Sequence, residues 1–265
     1  MRQNQPIGFF DSGWGGLSIM KTARQILPSE DFIYVADCAN APYGDRTHEF
    51  IVDRARKITR FLFESQQVKA LVIACNTATA EAIDTLRKEL PQALIVGVEP
   101  AVKPAVALSK KQCIGMISTT RTATSDRYRQ LLKRYGQNSH ILSTGCPGLM
   151  DCVEAGEFDT ATTRELLHRY LDPMLEAGID TLVLGCTHYP FLSDTISSIV
   201  GPEVILYEPS LAVSRRLQML LKDAHALREN HRGKECFYVS GLNEQRKSVA
   251  RRLWRNATLF ENLPV

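Results

Sequence analysis

Short apolar runs without polar interruption alternate with longer stretches of helical periodicity along this chain, and two of those runs, ALVIA and TLVLG, lead into a cysteine. The pattern predicts strands over IGFF, DFIYVA, KALVIA and LIVGVE, separated by helices over GLSIMKTARQIL, EFIVDRARKITRFLFESQ and TATAEAIDTLRKEL. The second half repeats the scheme, with strands over CIGMIS, SHILST, TLVLG and EVILYE and helices over SDRYRQLLKRYG, TTRELLHRYLDPMLEAG and the segment after Pro190. Alternation of this kind folds as α/β with mostly parallel sheets. Strands that are apolar at every position require helices on both faces of the sheet.

The halves also share landmarks. Ile7-Gly8 recurs as Ile114-Gly115, Cys75 as Cys186, and Glu99-Pro100 as Glu208-Pro209, in the same order and at nearly constant separation. We therefore expect an internal duplication: two similar lobes, each a parallel sheet flanked by helices, each ending a strand on a cysteine. The boundary falls near VEPAVKPAVALSKKQ, which two prolines punctuate. The segment after Pro209 has no counterpart following the first lobe, so it packs as an extra element.

A chain of 265 residues, 44% hydrophobic and 23% charged, can bury a sizeable core. It has no apolar run near the roughly 20 residues that span a bilayer, and MRQNQPIGFF lacks the apolar core of a signal peptide, so a cytoplasmic protein without membrane contact is expected. The net charge of +3 is too mild to require nucleic acid. In the basic segments RRLQMLLK and RKSVARRLWRN, Leu217, Leu220 and Leu221 and then Val249, Leu253 and Trp254 recur at helical spacing, so the arginines read as a solvated face. The seven cysteines are odd in number, form no CxxC pair and are expected as free thiols. Cys186-Thr187-His188 would be half a metal site, but no second cluster accompanies it, and no metal is expected.

Ligands of parallel α/β sheets bind outside the carboxyl ends of the strands, where Cys75 and Cys186 stand. Each precedes a helix start, Asn76-Thr77 in one case and Thr187-His188-Tyr189-Pro190 in the other. Helix N-termini favour a thiolate and bind carboxylates, which suits an acidic substrate. Two thiols reaching one carbon from opposite sides would invert it, one removing a proton while the other donates one. A single buried cysteine is more often a small hydrophobe. The pairing, with polar residues after both, points to chemistry.

DSGWGG follows the first strand but lacks the lysine of a phosphate loop, and an aspartate at its mouth repels phosphate. Asp11 is suited to an ammonium group or to poising a thiol, and Ser12 to a carboxylate; the competing reading is an N-cap with a tight turn. Pro42-Tyr43-Gly44 reads first as a turn. Thr119 and Thr122 either donate to a carboxylate or cap the next helix.

Together, GFFDSGWGGL, APYG, ACNTAT, VGVEPA, STTRTATSDRY, CPGLMDCVEAG, LGCTHYP and FYVSG give the chain a resemblance, over almost its whole length, to glutamate racemase of the aspartate/glutamate racemase superfamily. The resemblance implies that Cys75 and Cys186 are the acid/base thiols, Cys75 serving D-glutamate and Cys186 L-glutamate, assisted by Asp11, Glu154 and His188, with no cofactor and no pyridoxal phosphate. It places Asp11, Ser12, Pro42, Tyr43, Gly44, Asn76, Thr77, Thr119, Thr122, Thr187 and His188 at the substrate, and glutamate as the partner, with a homodimer an option. It implies that the tail returns to the first lobe, giving domains 1–97 plus 210–265 and 98–209, and that the product feeds peptidoglycan synthesis. Glu208 departs from the aspartate usual in similar proteins. Only six residues precede Ile7, fewer than the extension that some relatives link to activation by a cell-wall precursor. Competing readings are an aspartate or related racemase, a Cys-dependent hydrolase with His188 as base, which leaves the second cysteine unexplained, and a non-catalytic amino-acid binder.

Overall fold

The structure, a computed structural model, describes residues 2–255 and 257–265. The chain divides into two compact units, Met1–Val98 with Ser210–Val265, and Glu99–Pro209. The first unit begins with β1 (Ile7–Asp11), α1 (Leu17–Ile26), β2 (Phe32–Ala36), α2 (His48–Arg60), β3 (Ala70–Ile73), α3 (Asn76–Glu89) and β4 (Leu94–Gly97). The second unit contains α4 (Val102–Leu108), β5 (Cys113–Ser118), α5 (Thr120–Thr124), α6 (Asp126–Tyr135), β6 (His140–Gly145), α7 (Leu149–Ala155), α8 (Ala161–Glu176), β7 (Thr181–Leu184), α9 (Ser193–Val200) and β8 (Ile205–Tyr207). The chain then completes the first unit with α10 (Ser210–Asp223), β9 (Glu235–Val239), α11 (Glu244–Leu253) and β10 (Phe260–Asn262).

The α/β expectation holds. The first sheet runs β10-β9-β2-β1-β3-β4 and the second β6-β5-β7-β8, with every pairing parallel. The order β2-β1-β3-β4 in one unit is the order β6-β5-β7-β8 in the other, and Ile7-Gly8 and Ile114-Gly115 lie in the corresponding strands β1 and β5. The tail adds β9 against β2, Phe32 opposite Glu235 through Ala36 opposite Val239.

Burial explains why the strands lack polar alternation. Phe10, Val35, Leu71 and Ile73 join Ile51, Ala55, Ile58, Ala82 and Ile83 of α2 and α3 in one apolar cluster. Phe9 and Tyr34, one position earlier and so on the opposite face, are also fully buried. In the second unit Leu182 and Leu184 pack with Leu167, Leu171 and Met174 of α8 and with Ile196 of α9.

Several local expectations need correction. The predicted helix 49–66 is α2 to Arg60, closing in a π turn over Phe61–Ser65. The segment read as proline-punctuated boundary carries α4, with Pro104 in its first turn, where a missing N–H costs least. After Pro190 a 3₁₀ turn, Tyr189–Leu192, intervenes before α9 begins at Ser193. Helices α5 and α7 were not anticipated. The basic segments lie in α10 and α11, where Leu217, Leu221 and Val249 are buried while Arg215, Arg216, Arg251 and Arg252 are exposed.

Candidate active site

In each sheet the chain leaves the first strand towards one edge and returns on its other side, so the topological switch lies between β1 and β3 in the first unit and between β5 and β7 in the second. Crevices at such switches, outside the carboxyl ends, are where open α/β sheets hold ligands.

At the first switch, Cys75 is the N-cap of α3. Its sulfur accepts from the Ala78 amide at 3.4 Å and lies 3.7 Å from Ser12 Oγ. A sulfur in a position usually held by Ser or Asp sits at the positive end of a fourteen-residue helix, where a thiolate is favoured. Asn76 and Thr77 follow in the first turn, both buried. Among the described residues neither Oδ1 nor Nδ2 of Asn76 has a partner, an arrangement that costs free energy unless a ligand or water meets the amide.

Asp11, fully buried at the end of β1, accepts from the Gly13 amide at 2.9 Å. It makes the tight turn but does not cap a helix: the N-cap of α1 is Gly16. Tyr34 locks this turn by donating to the Gly13 carbonyl at 2.8 Å while stacking on Trp14. Gly16 is required by close approach, since a Cβ there would lie 2.7 Å from Ala74 Cβ and 2.9 Å from the Tyr34 hydroxyl. Gly16→Ala is expected to cost about 1–3 kcal/mol by overpacking, measured as a shift in the denaturant midpoint at unchanged m.

Tyr43 opens a 3₁₀ turn, Tyr43–Asp45, with Pro42 before it, and donates to Asp37 Oδ2 at 2.6 Å. Burial, the Asp37 carboxylate and Cys75 hold this phenol well above its usual pKa, so it stays protonated. Burial would push the Asp37 carboxyl up, but hydrogen bonds from Arg54, Tyr43 and Asn40 outweigh it and hold the group below the usual carboxylate value. With the folded value below the unfolded one, Asp37 contributes stability above the ordinary carboxylate range and loses it as pH falls through the folded value.

At the second switch, Thr119 N-caps α5 through the Thr122 amide at 3.2 Å, and the two hydroxyls are 2.9 Å apart. Cys186, two residues beyond β7, lies with its sulfur 3.7 Å from His188 Nδ1, and His188 Nε2 is 2.7 Å from Glu154 Oε1 on α7. Burial would lower the imidazole pKa, but Cys186 and Glu154 raise it well above the usual histidine value. With Nε2–H donated to Glu154, Nδ1 either accepts the thiol proton or, once protonated, donates to the thiolate. A proton can thus pass between sulfur and ring without disturbing the Glu154 contact. Tyr189 ties the loop down by donating to the carbonyls of Ser118 at 3.2 Å and Cys146 at 3.4 Å. Thr187 is buried beside this cluster in sequence. Burial pushes the Cys146 thiol up to about 12, so it stays neutral.

The family model for Asp/Glu/Hydantoin racemase matches residues 17–209. A glutamate racemase of Ectopseudomonas mendocina is 44% identical over 94% of this chain and 95% of its own. The chain belongs to the glutamate racemase family. Two solved glutamate racemases share its fold. One, an isoform from Bacillus anthracis, aligns at a TM-score of 0.90 and 30% identity over 99% of this chain and 98% of that one. The other, from Francisella tularensis in complex with D-glutamate, aligns at 0.86 and 32% identity over 98% of both.

Within this glutamate racemase fold, the residues singled out from sequence fall into two groups. The first unit gathers Asp11, Ser12, Pro42, Tyr43, Gly44, Cys75, Asn76 and Thr77 around the carboxyl ends of β1, β2 and β3. The second gathers Thr119, Thr122, Glu154, Cys186, Thr187 and His188 around those of β5 and β7. Asp37 and Arg54 were missed. The available signal was that DFIYVAD, like IGFFD, ends an apolar strand on an aspartate. A cavity of about 450 Å³ lined by Gln5, Phe63, Lys69 and Leu94 lies at the amino ends of β3 and β4, away from all these residues. Among the described residues no group of three or more His, Cys, Asp and Glu is placed to hold a metal, and no helix is long and apolar enough to cross a membrane.

Proposed function

We propose that the chain interconverts L- and D-glutamate without a cofactor, using Cys75 and Cys186 as the two acid/base groups, and that it thereby supplies D-glutamate for peptidoglycan. The observation that carries this reading is a thiol at the switch-point crevice of each unit, Cys75 as the N-cap of α3 and Cys186 beside the His188 imidazole. Sequence relatives named glutamate racemase and a structural relative holding D-glutamate supply the substrate.

In this reading a thiolate removes the Cα proton, the electron pair delocalises into the α-carboxylate, and the other thiol protonates the opposite face. The enzyme then carries its proton on the other sulfur, so one protonation state accepts L-glutamate and the other D-glutamate. Asp11 holds the ammonium group, while Ser12, Asn76, Thr77, Thr119, Thr122 and Thr187 meet the carboxylates. The turn Pro42-Tyr43-Gly44 borders the substrate. His188, backed by Glu154, exchanges a proton with Cys186; Ser12 and the α3 amides attend Cys75.

Incubation with L-glutamate in deuterated water tests the reading. Deuterium should appear at Cα as both enantiomers accumulate, without added cofactor and much faster than with aspartate. Glutamate recovered with its Cα proton and configuration intact would falsify the reading.

A further inference from the structure

Arg54 lies on α2 and takes no part in the proton transfers, yet its side chain is only 10% exposed. Its Nε donates to Asp37 Oδ2 and its Nη2 to Oδ1, both at 2.9 Å, and Nη2 also donates to the backbone oxygen of Val265 at 3.0 Å. Asp37 accepts two more hydrogen bonds, from the Tyr43 hydroxyl at 2.6 Å and from Asn40 Nδ2 at 2.9 Å. A carboxylate has about four acceptor sites, so Asp37 is saturated and cannot serve as a base. The Tyr43 hydroxyl proton is likewise committed, so Tyr43 cannot donate it to a ligand. Tyr43 also packs in the same apolar cluster as Cys75.

We propose that Arg54 is a positioning residue for racemisation: its bidentate pair with Asp37 fixes Tyr43 and hence the turn 42–44 beside Cys75, and its third hydrogen bond makes the returning tail part of that clamp. This rests on the proposed function, in which that turn borders the substrate. Two rigid forks in register define an angle as well as a distance, which a lysine at the same place cannot.

The test compares the wild type with Arg54→Lys, Arg54→Gln and a chain ending at Leu263. Steady-state kinetics are run with both enantiomers, with hydrogen exchange read at residues 43–46. Arg54→Lys should raise KM for both enantiomers about 10- to 100-fold, the scale of a misplaced contact, with a smaller fall in kcat. Amides of 43–46, among them that of Arg46, which donates to the Tyr43 carbonyl at 3.2 Å, should exchange faster while those of β1 and β3 do not. The shortened chain should move the same quantities less, and shortening should add nothing in the Arg54→Gln background, because both changes break one network. If Arg54→Gln does not fold, the lysine variant is combined with the shortening instead. Unchanged exchange at 43–46 in Arg54→Lys overturns the clamp. Faster exchange with unchanged KM overturns its role in positioning. A wild type inactive on glutamate defeats the functional reading, while exchange at 43–46 still decides the clamp.

Discussion

Cys186→Ala and Cys75→Ala should each abolish racemisation, with losses of at least roughly 10²- to 10⁴-fold, because inversion in either direction needs an acid and a base at once. The residual chemistry should differ between them. Cys186→Ala keeps Cys75, so it should exchange the Cα proton of D-glutamate slowly with retained configuration; Cys75→Ala should do so with L-glutamate. The measurement is deuterium incorporation by each variant into each enantiomer, with configuration checked by chiral chromatography. The two residual exchanges should not be equally fast, since Cys186 is backed by an imidazole and a carboxylate, whereas Cys75 faces a hydroxyl and a backbone amide. Wild-type racemisation by either variant would sink the two-thiol assignment. Exchange into the wrong enantiomer would reverse the facial assignment.

The second large effect is on stability. Lys69 and Glu30 form an ion pair at 2.5 Å, their side chains 0% and 1% exposed. Lys69 Nζ also donates to the carbonyls of Gln3 at 2.8 Å and Ala226 at 2.9 Å, and the Arg228 amide donates to Glu30 Oε1 at 2.9 Å. The pair thus joins the start of the chain, the loop before β2, the entry to β3 and the segment after α10. Lys69→Met leaves a carboxylate buried without its cation, which should cost about 3–5 kcal/mol. The double change Lys69→Met with Glu30→Gln should recover most of that loss, because the expense lies in the uncompensated charge. Urea unfolding of the three proteins decides it. Equal losses in the single and double variants would show that the contacts, and not the charge, matter.

The parts of this fold legible in sequence are those where one physical demand dominates a short window. Phe9 and Phe10 are both buried because helices cover both faces of the sheet, so IGFF shows as an unbroken apolar run. Cys75 and Cys186 announced themselves because a polar stretch follows each strand abruptly. Helix α7 escaped because its seven residues lie between Gly148 and Gly156, both in left-handed conformation, too short a window for a helical period. Glu154, which it carries, was therefore reached through resemblance alone. The Asp37 cluster escaped because it is tertiary throughout: α2 and the turn at Tyr43 meet on one carboxylate, the end of the tail joins through Arg54, and no local pattern records that meeting.

The division of the chain has a consequence for the order of its synthesis. Glu99–Pro209 is continuous and can close its four-stranded sheet as soon as it has been made, whereas the sheet holding Cys75 waits for β9, which pairs with β2 across some two hundred residues. On a ribosome the half that carries Cys186 can therefore be finished while the half that carries Cys75 still presents the unpaired edge of β2. The later half is the one whose exposed strand offers a chaperone something to hold, and the one whose misfolding would leave Cys186 correctly built but without its counterpart.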